Sequence, residues 1–213
     1  MLLIDKPKGM TSHDVVNIVR RHTGEKRVGH AGTLDPNATG LLIVGVGRGE
    51  TKQLGDLTKN ANKTYEAEIF LGETRDTDDI EGKITSKNDQ IIPTIKEIQN
   101  ILKEFEGEQE QIPPSYSAIK LKGKKAYELA RKQKPLKLSP RKVTIYSIKF
   151  INYSYPILEI TCEVSSGTYI RSLARDIGEK LKCGAYLSNL RRTKIGDYDL
   201  RDAVKLESLA RTK

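Results

Sequence analysis

The sequence predicts an α+β domain with a central mixed, mainly antiparallel sheet flanked by helices. Three observations predict it. Lys63 to Leu71 alternates with period two: Tyr65, Ala67, Ile69 and Leu71 share one face, Thr64, Glu66, Glu68 and Phe70 the other, as in a half-buried strand. Lys142 to Tyr153 and Pro156 to Val164 read as two strands joined by a tight turn around Ser154-Tyr155, and such a hairpin rules out a purely parallel sheet. Apolar residues at helical spacing, Val15, Val16, Ile18 and Val19 in one segment and Ile170, Leu173, Ala174 and Ile177 in another, supply helices to cover the sheet.

In chain order, Leu2 to Asp5 is a short strand ended by Lys6-Pro7-Lys8-Gly9. Ser12 is the expected N-cap of a helix reaching about His22, with Asp14 in the first turn, where the helix dipole favours an acid. Leu41 to Val46 is a buried strand, turned by Gly47-Arg48-Gly49 into a helix from Glu50 to Asn60 with Leu54 and Leu57 inward. Glu73 to Asp79 is an acidic loop; Asp76, Asp78 and Asp79 lack the spaced glycine and closing glutamate of an EF-hand, which excludes that reading. Gly82 to Thr85 is a short strand, and Pro93 opens a helix with Ile95, Ile98 and Leu102 on one side. Glu104, Glu106, Glu108 and Glu110 read as a solvated surface, and Pro113-Pro114 stiffens the chain beyond them. Lys124 to Lys132 is a short helix. Gly167-Thr168 offers the N-cap of the helix carrying Arg171 and Arg175 on one face, Gly184 ends that helix, and Leu200 to Ala210 is a last helix with Ala203, Leu206 and Leu209 inward.

The 213 residues suit one domain. Thirty-seven basic against 28 acidic residues give a net charge of +9, an argument for a polyanionic partner or for solubility, not for a fold. Between Lys120 and Lys142 stand ten basic residues and one acid, Glu128, which favours an RNA-gripping segment over an ordinary charged surface. No stretch of about 18 apolar residues exists to span a membrane, and Asp5 and Lys6 interrupt the apolar start, so no signal peptide is expected. Cys162 and Cys183 are too few for a disulfide framework or a metal site, and both sit in apolar-periodic segments. Buried thiols and a cytoplasmic location are the expectation, with no metal.

The stretch with the densest chemical signal is Gly29-His30-Ala31-Gly32-Thr33-Leu34-Asp35-Pro36-Asn37-Ala38-Thr39-Gly40-Leu41-Leu42. Its glycines let the backbone turn, and proline after Asp35 biases that residue away from the α region. Read locally, Asp35 is either a turn-capping carboxylate or a catalytic one on a rigidly held loop. This stretch resembles the active-site motif of the bacterial tRNA pseudouridine-55 synthase family. So do Leu3-Ile4-Asp5-Lys6-Pro7-Lys8-Gly9-Met10-Thr11-Ser12-His13-Asp14, Pro113-Pro114 followed by Tyr116-Ser117-Ala118, the run Ser165 to Gly178, and Leu190-Arg191-Arg192-Thr193. The motifs stand in order from the first residue to about Thr193.

The resemblance implies a pseudouridine synthase-like fold and isomerisation of uridine to pseudouridine in the T-arm loop of tRNA, at position 55. Asp35 takes the nucleophilic or basic role, Arg171 pairs with it, Tyr65 lies against the target base, His30 helps wedge out the nucleotide, and Leu190 lines the pocket. Lys6 and Lys8, and with them Arg20, Arg21 and Arg27, are expected phosphate contacts. Residues 112–142, with Lys120, Lys124 and Lys125, form an insertion closing on the tRNA. No cofactor is implied, because the reaction exchanges a C–N for a C–C bond without redox change. A monomer with no obligate protein partner is expected. Most relatives carry a further small C-terminal RNA-binding domain, of the PUA-like kind, for which this chain has no residues. Two alternatives share the motifs: a guide-RNA-directed pseudouridine synthase, and a non-catalytic tRNA-binding or folding module.

Overall fold

The computed structural model describes residues 1–117, 119–121, 124–125, 129 and 138–210, with backbone only for residues 120, 121, 124, 125 and 210. The chain forms two compact units: Met1–Glu66, Cys162–Gly167 and Asn189–Lys213 make the first, Ala67–Thr161 and Thr168–Ser188 the second.

In the first unit β1 (Leu2–Lys6) lies antiparallel to β3 (Thr39–Val46), with Ile4 opposite Leu42. The unbroken apolar run of β3 has a plain cause. Leu42 and Val44 pack with Ile4, Val15, Val16 and Val19 of α1 (Ser12–Thr23), while Leu41 and Ile43 pack with Leu54 of α2 (Gly47–Asn60). A strand covered on both faces loses its alternation. β2 (Val28–Ala31), absent from the sequence reading, pairs antiparallel with β3.

Three local expectations are corrected here. The N-cap of α1 is Thr11, in a capping box with Asp14 (Asp14 N–H to Thr11 Oγ1, 3.1 Å; Thr11 N–H to Asp14 Oδ2, 2.9 Å). That frees Ser12 to point inward. α2 starts at Gly47 without an intervening turn, and the Glu50 carboxylate accepts from Val46 N–H at 2.7 Å. The predicted last helix is split. Asp199 caps a 3₁₀ turn at Leu200–Asp202, and β14 (Val204–Lys205) pairs parallel with β1 before α5 (Leu206–Ala210). Strand pairing with Ile4 and Asp5 overrides helix propensity there.

β4 (Lys63–Leu71) begins in the first unit and passes into the second at Ala67, where it continues into β5 (Glu73–Arg75), which pairs with β6 (Ile84–Lys87). β4 buries Lys63, Tyr65, Ala67, Ile69 and Leu71 as its alternation predicts. α3 (Ile95–Glu104) is capped by Thr94 and buries Ile98 and Leu102, but Ile95 is half exposed. The acidic run is exposed as predicted, at Glu104, Glu106, Glu108 and Glu110, and part of it is a strand. Gly107–Gln111 is β7, antiparallel to β10 (Arg141–Ser154) with Glu110 opposite Lys142, an opposite-charge cross-strand pair. β8 (Lys120–Leu121) and β9 (Lys124–Lys125) form a short ladder where a helix start is predicted; residues 126–128 and 130–132 of that helix lie outside the described residues.

β11 (Ile157–Val164) follows β10, then α4 (Ile170–Lys180), N-capped at Tyr169 rather than Thr168, then β12 (Ala185–Ile195) and β13 (Tyr198–Asp199). The ten-stranded sheet runs β14-β1-β3-β12-β4-β11-β10-β7, with β2 on β3 and β13 on β12. β1·β14 and β3·β12 are parallel; β1·β3, β2·β3, β7·β10 and β12·β13 are antiparallel. This is the predicted mixed sheet. Cys162 and Cys183 are free and buried, and burial pushes the Cys162 thiol up to about 12.

Candidate active site

Asp35 stands exposed in the loop between β2 and β3. The loop is held by its backbone. Arg192 NH2 donates to the carbonyl of Gly32 at 2.8 Å, Ser12 Oγ to that of Leu34 at 3.0 Å, and Lys6 Nζ to that of Pro36 at 3.2 Å. Leu34 N–H donates back to Ser12 Oγ at 2.9 Å, Gly9 N–H to Pro36 O at 2.9 Å, and Ala38 N–H closes the turn on Asp35 O at 3.1 Å. Buried donors from β12, α1 and β1 thus grip alternate carbonyls on either side of Asp35. Three N- or O-donors meeting three carbonyls in a buried setting fix the backbone, because each unmet group costs about 1–3 kcal/mol.

This overturns the reading of Lys6 as a phosphate contact. Lys6 is fully buried, and its ammonium also donates to Pro7 O at 2.9 Å and Met10 O at 2.6 Å. Burial pushes it down to about 8, against the opposing pull of Asp35. A cation whose three donors are met inside the protein is not offered to RNA. Arg20, which is partly exposed, donates to Val28 O at 2.9 Å and Asn17 Oδ1 at 3.1 Å, tying α1 to β2. Lys8, Arg21 and Arg27 are exposed.

His30, on β2, is half-buried with Nε2 3.2 Å from Thr33 Oγ1 in the Asp35 loop. Burial first, then the positive charges of Arg192 and His13, push the imidazole below its usual range. Leu190 is half-buried on β12, where its carbonyl accepts from Thr39 Oγ1 at 3.4 Å. Tyr65, 8% exposed, sits on β4, the strand next to β12. Lys63 is a second buried lysine, its ammonium donating to Thr58 O and Ala61 O at 3.0 and 2.7 Å; burial, then Arg192, pushes it down to about 8. The side chains of Lys120, Lys124 and Lys125 lie outside the described residues.

Arg171 belongs to the second unit and is buried on α4. It faces Asp79 Oδ2 at 3.3 Å and donates to Thr77 O at 3.2 Å and Tyr116 O at 2.9 Å. One turn on, Arg175 pairs with Asp78 at 3.0 Å and donates to Ile112 O at 3.0 Å. The acidic loop rejected as a calcium site therefore serves two arginines. Burial raises Asp78 to about 6, Arg175 and Arg171 opposing. Gln111 ties Tyr169, at the N-cap of α4, through both its backbone groups (2.8 and 3.0 Å). Among the described residues no group of three or more His, Cys, Asp and Glu could hold a metal ion.

A model of the TruB family pseudouridylate synthase N-terminal domain matches residues 20–170 of this chain. The chain belongs to the TruB family. A second model, of the tRNA pseudouridylate synthase B C-terminal domain, matches residues 171–213, which here contain α4, β12 and the last strands and helix. The TruB resemblance in the motifs is thereby borne out. A tRNA pseudouridine synthase B of Protochlamydia amoebophila is 46% identical over 96% of this chain and 77% of its own length. One of Caldanaerobacter subterraneus subsp. tengcongensis is 44% identical over 100% and 74%. Among solved structures, a chain of a Cbf5–Nop10–Gar1 complex is similar with a TM-score of 0.73 at 30% identity, and one of the archaeal box H/ACA sRNP Nop10–Cbf5 complex with 0.72 at 28%. This TruB chain covers 97–98% of itself in those matches and about half of theirs, 52% and 51%.

The residues that hold the loop are not plainly legible in the sequence: Ser12 reads as a cap, and Arg192 as one letter of a motif. Strand alternation gives a signal for Arg192, since it shares parity with Leu190 on β12 while Arg191 turns to Asp5 at 2.8 Å.

Proposed function

We propose that this chain isomerises a uridine in the T-arm loop of tRNA, at position 55, to pseudouridine, with Asp35 as nucleophile or base. The glycosidic C–N bond breaks, the base turns, a C–C bond forms at uracil C5, the C5 hydrogen leaves as a proton, and the freed N1 takes up a proton. The observation that carries the reading is the exposed carboxylate of Asp35 on a backbone gripped at the carbonyls of Gly32, Leu34 and Pro36. A reacting group gains most from a site fixed before the substrate arrives.

In this reading Arg171 is the arginine of the catalytic set, Tyr65 stacks on the uracil, and Leu190 lines the pocket. His30 enters the RNA as an uncharged wedge, consistent with the lowered imidazole. Lys8, Arg21, Arg27 and the insertion with Lys120, Lys124 and Lys125 meet the phosphates. The chain works as a monomer in the cytoplasm. Relatives 41–46% identical bear the name tRNA pseudouridine synthase B, whereas chains from H/ACA complexes are 28–30% identical, which favours tRNA over a guided substrate.

The test is tritium release from a tRNA transcript labelled at uracil C5, with the purified chain alone. One equivalent released per tRNA, lost when the T-loop uridine is changed, supports the reading. Tight binding without release overturns it.

A further inference from the structure

Resting on the reaction just described, we propose that Arg192 is a positioning residue: its buried guanidinium closes the neck of the Asp35 loop and so sets where that carboxylate stands. Arg192 lies on β12 and is 1% exposed. Its Nε donates to Leu41 O at 2.9 Å and its NH2 to Gly32 O at 2.8 Å. Gly32 and Leu41 are the two ends of the segment that carries Asp35, so one planar, five-donor group joins both. A lysine offers no such fork.

The glycines around it fit the same purpose. Gly32 has φ +68, and a Cβ there would lie 3.1 Å from Arg192 NH1. Gly40 has φ +99, and a Cβ there would lie 2.3 Å from Arg192 O, the two residues being register partners across β3 and β12. Gly32 thus makes room for the Arg192 side chain, and Gly40 for the Arg192 backbone. A buried guanidinium is a poor choice for stability, since apolar residues of like volume often serve as well or better. Its specific geometry is what an apolar residue cannot reproduce. Its charge is also felt beyond the neck: it opposes protonation of His30, Lys6 and Lys63. Arg192 therefore contributes both a fixed backbone and a positive field beneath the loop.

The experiment compares wild type with Arg192→Lys and Gly32→Ala, which disturb the same contact from its two sides. Single-turnover tritium release from C5-labelled tRNA is expected to slow about 10- to 100-fold in each, as small misplacements of a reacting group do, with the tRNA dissociation constant within about twofold. Amide NMR shifts are expected to change over residues 32–41 and to leave α3 and β10 in place. Three results overturn the inference: folded variants with the wild-type rate, a loss residing wholly in tRNA affinity, or failure of both variants to fold, which would make Arg192 a general structural residue. A wild-type chain that releases no tritium sinks the proposed function instead, and the NMR comparison then still decides whether Arg192 sets the loop.

Discussion

The Asp35 loop and the turn at Thr77–Asp79 are both short, polar and close to a candidate catalytic group, yet they are held by different physics. Around Asp35 the acceptors are backbone carbonyls at Gly32, Leu34 and Pro36, reached by buried Arg192, Ser12 and Lys6. Around Arg171 the acceptors include carboxylates: Asp79 at 3.3 Å and, for the neighbouring Arg175, Asp78 at 3.0 Å. Carbonyls do not titrate, and buried hydrogen bonds are weakly screened by salt. Ion pairs do titrate and are screened where they meet water. The first loop is therefore held through acceptors that keep their state, with Lys6 the one of its three donors pushed down, to about 8, whereas the second turn responds to acid through Asp78.

The largest effect that would sharpen this contrast is on chemistry. Asp35→Asn is expected to reduce tritium release on the order of 1,000-fold or more while tRNA binding stays within about threefold, because the scaffold grips the backbone. A variant retaining full turnover breaks the assignment. Next comes the scaffold itself. Lys6→Met removes the Lys6 donor from the carbonyls of Pro7 and Met10 and leaves Pro36 O with Gly9 N–H alone, and chemical denaturation should show a loss of about 2–4 kcal/mol. Unchanged stability with weakened tRNA binding would restore the phosphate-contact reading that the structure overturns. Ser12→Ala removes one buried hydroxyl serving Leu34 and should cost about 1–2 kcal/mol.

The smallest effect tests the titrating half. The folded-state carboxyl of Asp78 is raised to about 6, above its ordinary 3.8. Between those values the folded protein binds the proton more readily than the unfolded chain. Wild-type stability relative to Asp78→Asn should therefore rise as pH falls from about 6 to 4, and the carboxylate's burial penalty should be fully present above 6. A difference below about 2 kcal/mol is expected once solvent screening is allowed for. Urea melts at pH 4, 5 and 7 measure it; a difference that does not change with pH removes the contrast between the two regions.

Local sequence determined much of this protein. Period-two alternation marked Lys63–Leu71 to the residue, and helical spacing marked α1 and α4. The order of motifs marked the family and Asp35 with it. Local signals also misled. Thr11 and Ser12 are adjacent hydroxyl residues, and nothing local says which caps and which turns inward to Leu34. Glu108 and Glu110 are surface as read, but the strand they belong to was not legible, because its pairing with Thr144 and Lys142 depends on residues more than 30 positions away. Lys6 read as a cation for RNA because sequence shows charge but not surroundings. Its three carbonyl partners come from two loops that only the packed sheet brings within reach. Composition and periodicity report how each segment meets solvent on average. Which lysine is buried, and which arginine closes a loop, is decided by hydrogen bonds between segments distant in the chain, and those exist only once the tertiary structure has formed.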